Sequence, residues 1–445
     1  MGKRYYFCGV GGNGMSPLAR LLAARGAEVL GSDRSYDQGR NLSFFKQLSS
    51  EGIKLVKQDG VALDKTIDAF IVTRAVEESI PDVAAAKKLG LPIIKRPALM
   101  AELFRDSRNI AVGGTGGKST TTGMIAHILK TVGKNPTAVD GAIMLNNNSN
   151  IMVGDPDLAV FEADESDGLN DVVGLCPANV AVLTNISLDH FELDELREIF
   201  THFVTNAKEA AILNADCEAS MSLPKPKCGA LTFSMTGNAD FSNKDLQLKL
   251  QIPGRHNIEN GLAAIAACSV IGVDKKDAAE ALSSFKGIKR RLELVQVKDG
   301  IRIIDDFSSN PGKIKAALSA LKEDSKRLIV IFQPHGFQPT KLMKEGYIET
   351  FNSFLGKDDI IIMPEIYYVG GSANIVDGKE IPLPKDISSK DLINEIDVPK
   401  AYYFEKRAEI PSFIKEIAEV GDTVLVMGSR DETLPDFARE IGSKF

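Results

Sequence analysis

Cysteine is scarce and scattered in this 445-residue chain: Cys8, Cys176, Cys217, Cys228 and Cys268 form an odd set without a CxxC pair. That distribution excludes a disulfide framework and a thiolate metal site, and it predicts the reduced thiols of a cytoplasmic protein. Positive charge is also short. Lys and Arg number 53 against 60 Asp and Glu, a net charge of −7, and Lys289-Arg290-Arg291 is the only run of three basic residues. A nucleic-acid-binding surface needs a basic stripe, so none is expected. No apolar run reaches the roughly 18–20 residues that span a bilayer, and the N-terminal apolar stretch turns to glycine too early for a signal peptide. Membrane insertion is therefore not expected. Internal repeats and low-complexity tracts are missing too. What remains is an ordinary globular composition, 44% hydrophobic and 25% charged, in a chain long enough for roughly two to four domains.

Short apolar runs alternate with helical stretches along the whole chain. Residues 1–107 carry RYYFCGV, AEVLGSD, DAFIVT and LPIIK between helices such as SPLARLLAARG. A second series over 108–288 includes DLAVFEADESD, NVAVLTNIS and EAAILNAD, and a third over 289–445 includes LELVQVKDGIRIIDDF, RLIVIFQP, DDIIIMPEIY and DTVLVMGSR. Strands alternating with helices predict parallel βαβ units. The fold class read from this is α/β, with three doubly wound domains and ligand clefts at the carboxyl ends of their strands.

The densest motif is GGTGGKSTTT at 113–122, placed after the apolar run Ile110-Ala111-Val112 and before a helical stretch. Strand, glycine turn and helix together make a phosphate cradle, because close backbone approach and the first helical N–H groups favour an anion. Gly114, Thr115, Gly116 and Gly117 would wrap the phosphates with Thr120 close behind. Lys118 would reach the outer ones, and the Ser119 hydroxyl would serve magnesium. Val112 stands where the longer P-loop pattern has its first glycine, leaving the shorter G-T-x-G-K-[ST] form. An ATP site is predicted here.

Other motifs extend the reading. The turn GVGGNGMS places Gly11, Gly12, Asn13, Gly14, Met15 and Ser16 after the first strand, and Asp33 ends the second. This pattern suits NAD or a nucleotide-linked substrate, with Asp33 near a ribose or base, or else a dinucleotide fold without a ligand. FEADESDG at 161–168 gathers Glu162, Asp164, Glu165 and Asp167 at a strand end, where magnesium or a solvated loop would account for them. His190 in NISLDH could hold a second metal or a substrate oxygen, or be structural. Asn257 and Asn260 open a helix and offer amide edges that match adenine, helix capping being the alternative for Asn257. Arg291 could neutralise a transferring phosphoryl group and Asp306 could bind a ribose hydroxyl, although arginines near linkers are more often just solvated and alone these residues carry little weight.

In order, GVGGNGMS with GSD, PIIKRPALMAELFR, GTGGKSTTT, EADESD, NISLDH, GRHNIENGLAAIAA, IKRRLE…IIDDF and FQPH resemble the Mur ligase family over nearly the whole chain. Its alanine-adding branch is the most similar, with the murein tripeptide recycling branch beside it. The resemblance implies three domains, 1–107, 108–288 and 289–445, binding a UDP-linked sugar acid, ATP with Mg2+, and an amino acid or peptide. It also implies a reaction in which ATP phosphorylates a carboxylate and an amine displaces the phosphate to form an amide. Lys118, Glu162, His190 and Arg291 would then be catalytic, and Ser119, Glu162 and His190 would hold metal. Asn257, Asn260, Arg291 and Asp306 would serve the nucleotide, and His335 in FQPH the amine substrate; apart from the resemblance, Arg430 in the terminal GSRDETLPDF turn could hold a carboxylate of that substrate or belong to a plain surface loop. The chain departs from that branch at Gly116, where a histidine is usual, at Phe307-Ser308-Ser309-Asn310-Pro311 after DD, and at Gly336 and Pro339, where arginines are usual. The resemblance thus carries the ATP half intact and the acceptor half altered. A nicotinamide dehydrogenase and a non-catalytic nucleotide-binding scaffold are the competing classes.

Overall fold

The computed structural model describes residues 2–73, 79–164, 178–187, 193–322, 324–368, 374–376, 379–381 and 386–445. The chain divides into two compact units, 1–251 with 256–288, and 252–255 with 289–445. Among the described residues no helix is long and apolar enough to cross a membrane.

The first unit holds two sheets. One has the order β3-β2-β1-β4-β5, built from β1 (Arg4–Cys8), β2 (Glu28–Ser32), β3 (Ile53–Val56), β4 (Ala69–Val72) and β5 (Ile93–Lys95). All its pairings are parallel. The helix after β1, Ser16–Ala24, packs on one face with Phe45 and Leu48, and the helix after β4, Pro81–Leu89, packs Val83 and Ala86 on the other. The chain therefore leaves β1 and β4 toward opposite faces, and the glycine turn sits at that switch point.

The second sheet has the order β13-β12-β11-β10-β6-β9-β7-β8. Its strands are β6 (Arg108–Gly113), β7 (Pro136–Met144), β8 (Ser149–Met152), β9 (Asp155–Glu162), β10 (Val180–Leu183), β11 (Ala210–Asn214), β12 (Ala230–Ser234) and β13 (Phe241–Ser242). Only β7 and β8 pair antiparallel. The central strands read as unbroken apolar runs because both of their faces are covered. Phe104 stacks on Phe161 at 5.2 Å, and one continuous core spans both sheets.

The second unit has a sheet of order β14-β15-β21-β16-β17-β20. Its strands are β14 (Glu293–Lys298), β15 (Ile301–Asp306), β16 (Arg327–Phe332), β17 (Ile360–Pro364), β20 (Ala401–Phe404) and β21 (Asp422–Met427), while β18 (Asn374–Val376) and β19 (Lys379–Ile381) form a separate pair. Alternate residues divide the core in two. Ile304, Val330, Phe332 and Leu425 face helices Pro311–Lys322 and Phe337–Phe354, whereas Ile303, Ile331 and Val426 face helices Ile410–Ile417 and Leu434–Ser443. The chain leaves β15 and β16 toward the first face but leaves β21, which lies between them, toward the second. A crevice at their carboxyl ends follows from that wiring. The expected α/β class of doubly wound sheets is borne out.

Candidate active site

The turn between β6 and helix Lys118–Thr131 is closed by glycines at which any side chain would clash with a neighbour. Gly114 has φ +127°, and a Cβ there would lie 2.1 Å from Thr184 Oγ1. Gly117, the helix N-cap at φ +81°, would place a Cβ 2.3 Å from Asn260 Oδ1. The end of β10 clamps the loop from the side. Thr184 Oγ1 donates to Gly116 O at 2.6 Å, and Asn185 both donates to Gly116 O (3.1 Å) and accepts from Gly116 N (3.0 Å). Thr115 Oγ1 donates to Asn185 Oδ1 at 2.9 Å and accepts from Ser187 N at 2.9 Å. A short polar segment thus holds the loop open around the position where phosphate oxygens would sit.

Lys118 Nζ donates to Gly114 O at 2.9 Å, so the ammonium lies across the loop. Ser119 Oγ donates to Glu162 Oε2 at 2.9 Å, and Gly141 N on β7 donates to the same oxygen at 3.0 Å. A Cβ on Gly141 would come within 2.5 Å of that carboxylate. Half-buried hydroxyl and carboxylate together are a donor set that magnesium accepts, provided phosphate and water supply the rest. Among the described residues no group of three or more His, Cys, Asp or Glu side chains converges, so a cation here would need those further ligands. Glu165, Asp167 and His190 lie outside the described residues.

Asn257 and Asn260 belong to helix Arg255–Val270, where Asn260 Nδ2 lies 3.4 Å from Asn257 Oδ1 and both side chains are buried. Asn257 sits inside the helix, not at its cap. Asn260 touches the phosphate loop directly through Gly117.

In the first sheet, Gly9 N and Val10 N both donate to Ser32 O, which folds the turn back on β2. Asp33 accepts from Gly11 N at 2.9 Å and from Ser35 N at 2.8 Å, so its carboxylate holds the turn and caps the next helix. Gly12 and Asn13 are exposed, while Met15 and Ser16 are buried. A Cβ on Gly14 would meet the Arg96 guanidinium at 2.9 Å. Asn150 of β8 donates toward Asn13 O and Ser16 Oγ, both at 3.4 Å, and accepts from Arg20 at 2.8 Å. The second sheet therefore braces the glycine turn of the first.

In the second unit Arg291 lies over the Phe307 ring at 5.3 Å, with Arg290 over the same ring at 5.0 Å. Asp306 is buried and accepts from Leu292 N and Ser308 N, each at 2.8 Å. Its neighbour Asp305 is fully buried and has an ion pair with Arg290 Nε at 3.2 Å, too poorly aligned for a hydrogen bond. Burial pushes the Asp305 carboxyl up to about 7 against the opposing pull of Arg290. His335 Nδ1 lies 3.1 Å from Ser429 Oγ, and burial plus the charge of Arg430 hold its imidazole below the ordinary range.

Comparison with known proteins decides the family. Three Mur ligase descriptions match in succession: "Mur ligase family, catalytic domain" over residues 4–108, "Mur ligase middle domain" over 112–268, and "Mur ligase, glutamate ligase domain" over 290–430. A UDP-N-acetylmuramate–L-alanine ligase of Rubrobacter xylanophilus is 32% identical, covering 96% of this chain and 97% of its own length. The chain belongs to the Mur ligase family. The solved UDP-N-acetylmuramate–alanine ligase of Thermotoga maritima superposes on this Mur ligase with a TM-score of 0.76 at 25% identity, covering 99% and 98% of the two chains. A murein peptide ligase of Psychrobacter arcticus shares the fold, with a TM-score of 0.65 at 22% identity over 100% and 98%.

Sequence reasoning on this Mur ligase misses several residues that the structure places at the site. Thr184, Asn185 and Ser187 clamp the loop, Gly141 makes room for Glu162, and Arg290 with Asp305 knits the start of the second unit. The run TNIS at the end of β10 carried the signal, since small polar residues at a strand end beside a phosphate turn have few other uses.

Proposed function

We propose that this Mur ligase is an ATP-dependent ligase that joins the carboxylate of UDP-N-acetylmuramate to an amino acid, nominally L-alanine, in cytoplasmic peptidoglycan precursor synthesis. The observation that carries the reading is the phosphate loop with Lys118, Ser119 and Glu162 gathered on it, in a chain alignable over its length with proteins named for that reaction. Three domains share the work, 1–107 for the UDP-linked acid, 108–288 for ATP and 289–445 for the amine.

The chemistry follows from charge. A carboxylate and the γ-phosphate repel each other, and their meeting needs cations placed before they arrive. Lys118 supplies one at the loop and Arg291 a second. Ser119 and Glu162, with His190, would hold Mg2+, which neutralises charge on the transferring phosphoryl group. Asn257 and Asn260 border the nucleotide, Asp306 fixes the segment that carries Arg291, and Gly11 to Ser16 with Asp33 shape the turn that receives the diphosphate. The amine then displaces phosphate from the acyl phosphate, with His335 and Arg430 at its site. Gly336 and Pro339, uncharged where the alanine-adding branch carries arginines, favour a short peptide as the second candidate acceptor.

The test is phosphate release from ATP and Mg2+ with UDP-N-acetylmuramate, scanned over amino acids and short peptides. Amine-dependent release and the corresponding amide by mass spectrometry are expected. Release that ignores every amine, or none at all, would overturn the reading.

A further inference from the structure

Activation of the acid leaves one need unmet: an amino acid near neutral pH carries an ammonium, which has no lone pair to attack with. Some group must take its proton. The crevice of the second unit, at the carboxyl ends of β15, β21 and β16, is where an open doubly wound sheet takes a ligand. His335 follows β16 and Ser429-Arg430 follows β21, so these three residues stand at adjoining strand ends on that crevice. His335 is held from behind, since Gly336 N donates to Tyr367 O at 2.9 Å and Tyr367 N to Pro334 O at 2.8 Å. Its Nδ1 is engaged by Ser429 Oγ at 3.1 Å, and among the described residues nothing engages Nε2, which is left for a substrate. Arg430, exposed and in a left-handed backbone at φ +62°, offers a cation beside it.

The carboxylates at the same strand ends are already committed. Asp306 holds two backbone amides, and Asp305 faces Arg290 in the core. Asp431 accepts from Arg407, Thr433 N and Thr433 Oγ1. Glu365 accepts from Ile366 N, Ser389 N and Tyr403 Oη. Among these groups only the His335 imidazole has a basic atom to spare.

We propose that His335 Nε2 is the base that deprotonates the incoming ammonium. Nδ1–H donates to Ser429 Oγ, the Nε2 lone pair takes one proton, and the freed amine nitrogen attacks the acyl carbon. The C–N bond forms as the C–O bond to phosphate breaks, the oxygen leaves with the electron pair, and the departing phosphate carries off the second nitrogen proton. Burial and the charge of Arg430 both favour the neutral imidazole, the form that this step requires. Arg430 would at the same time hold the acceptor's carboxylate.

The inference rests on the ligase reading, and hydroxylamine separates the two. Its nitrogen is unprotonated near neutral pH and needs no base, yet it traps the same acyl phosphate as a hydroxamate. His335→Asn and His335→Gln should lose on the order of 100-fold or more in turnover with the amino acid acceptor. Hydroxamate formation should fall far less, so the hydroxylamine-to-amino-acid ratio rises by at least about tenfold. MgATP-dependent thermal stabilisation reports that each variant is folded. Equal losses for both nucleophiles, or no loss with either, would overturn the base assignment. A wild-type protein that forms neither hydroxamate nor amide would instead overturn the ligase reading beneath it.

Discussion

Two residues of the phosphate loop separate chemistry from architecture. Lys118 donates to Gly114 O within the loop, and a hydrogen bond of that kind is worth roughly 1 kcal/mol to a fold. Its charge toward a triphosphate is worth far more. Lys118→Ala should therefore cut amide-forming turnover by about a thousandfold or more while the thermal midpoint barely moves; retained activity in a steady-state assay would contradict the loop's assignment. Gly117 is the converse case. Alanine there would meet both a left-handed backbone and Asn260 Oδ1 at 2.3 Å, so Gly117→Ala should destabilise the protein by about 1–3 kcal/mol and weaken ATP binding as well. Calorimetry of nucleotide binding together with thermal unfolding checks both effects, and a variant unchanged in each would show that the helix can shift away.

At the scale of elements, β7 and β9 together place the carboxylate that faces Ser119. Gly141 lies in a stretch where β7 loses register with β8, and its missing side chain is the space Glu162 occupies. Gly141→Ala should push Glu162 away from Ser119 and raise the Mg2+ concentration for half-maximal activity by roughly tenfold. An unaltered Mg2+ titration would mean that Glu162 does not serve the ion. The pairing of Ser119 with Glu162 was legible in the sequence, but the part of Gly141 was not, because a glycine inside an apolar strand pattern has many meanings and the close approach joins residues 21 apart on different strands. The strands buried on both faces, such as NIAVG, VAVL and RLIVIF, were legible as uninterrupted apolar runs. The edge strand Ile53–Val56 was not, since it alternates and half faces solvent. LELVQVKDGIRIIDDF reads as one long segment, yet it folds as the antiparallel pair β14–β15. The signal was present. Asp299 and Gly300 both take positive φ, as an Asp-Gly hairpin turn requires.

Across the whole molecule, each sheet sets its chemistry-bearing loops at the carboxyl ends of its strands, and in the second unit a buried charge pair ties that edge together. Arg290 donates to Gly428 O at 2.6 Å and faces Asp305, which no hydrogen bond from the described residues satisfies. The arrangement makes stability depend on pH in a stated direction. The Asp305 carboxyl titrates near 7 in the folded chain but near 4 when unfolded. Between those values the folded state holds a proton that the unfolded state has released, so stability falls as pH rises through that window. Asp305→Asn is uncharged at every pH, so it lacks this slope, although it leaves Arg290 unpaired throughout. The stability of the wild type relative to Asp305→Asn should decline by about 1–3 kcal/mol from pH 4.5 to pH 7.5. Arg290→Met should steepen the decline, because it removes the cation that offsets the buried carboxylate. Thermal unfolding of the three proteins across that range measures it. Parallel profiles would mean that Asp305 ionises at its ordinary pH and that the pair is a plain structural contact.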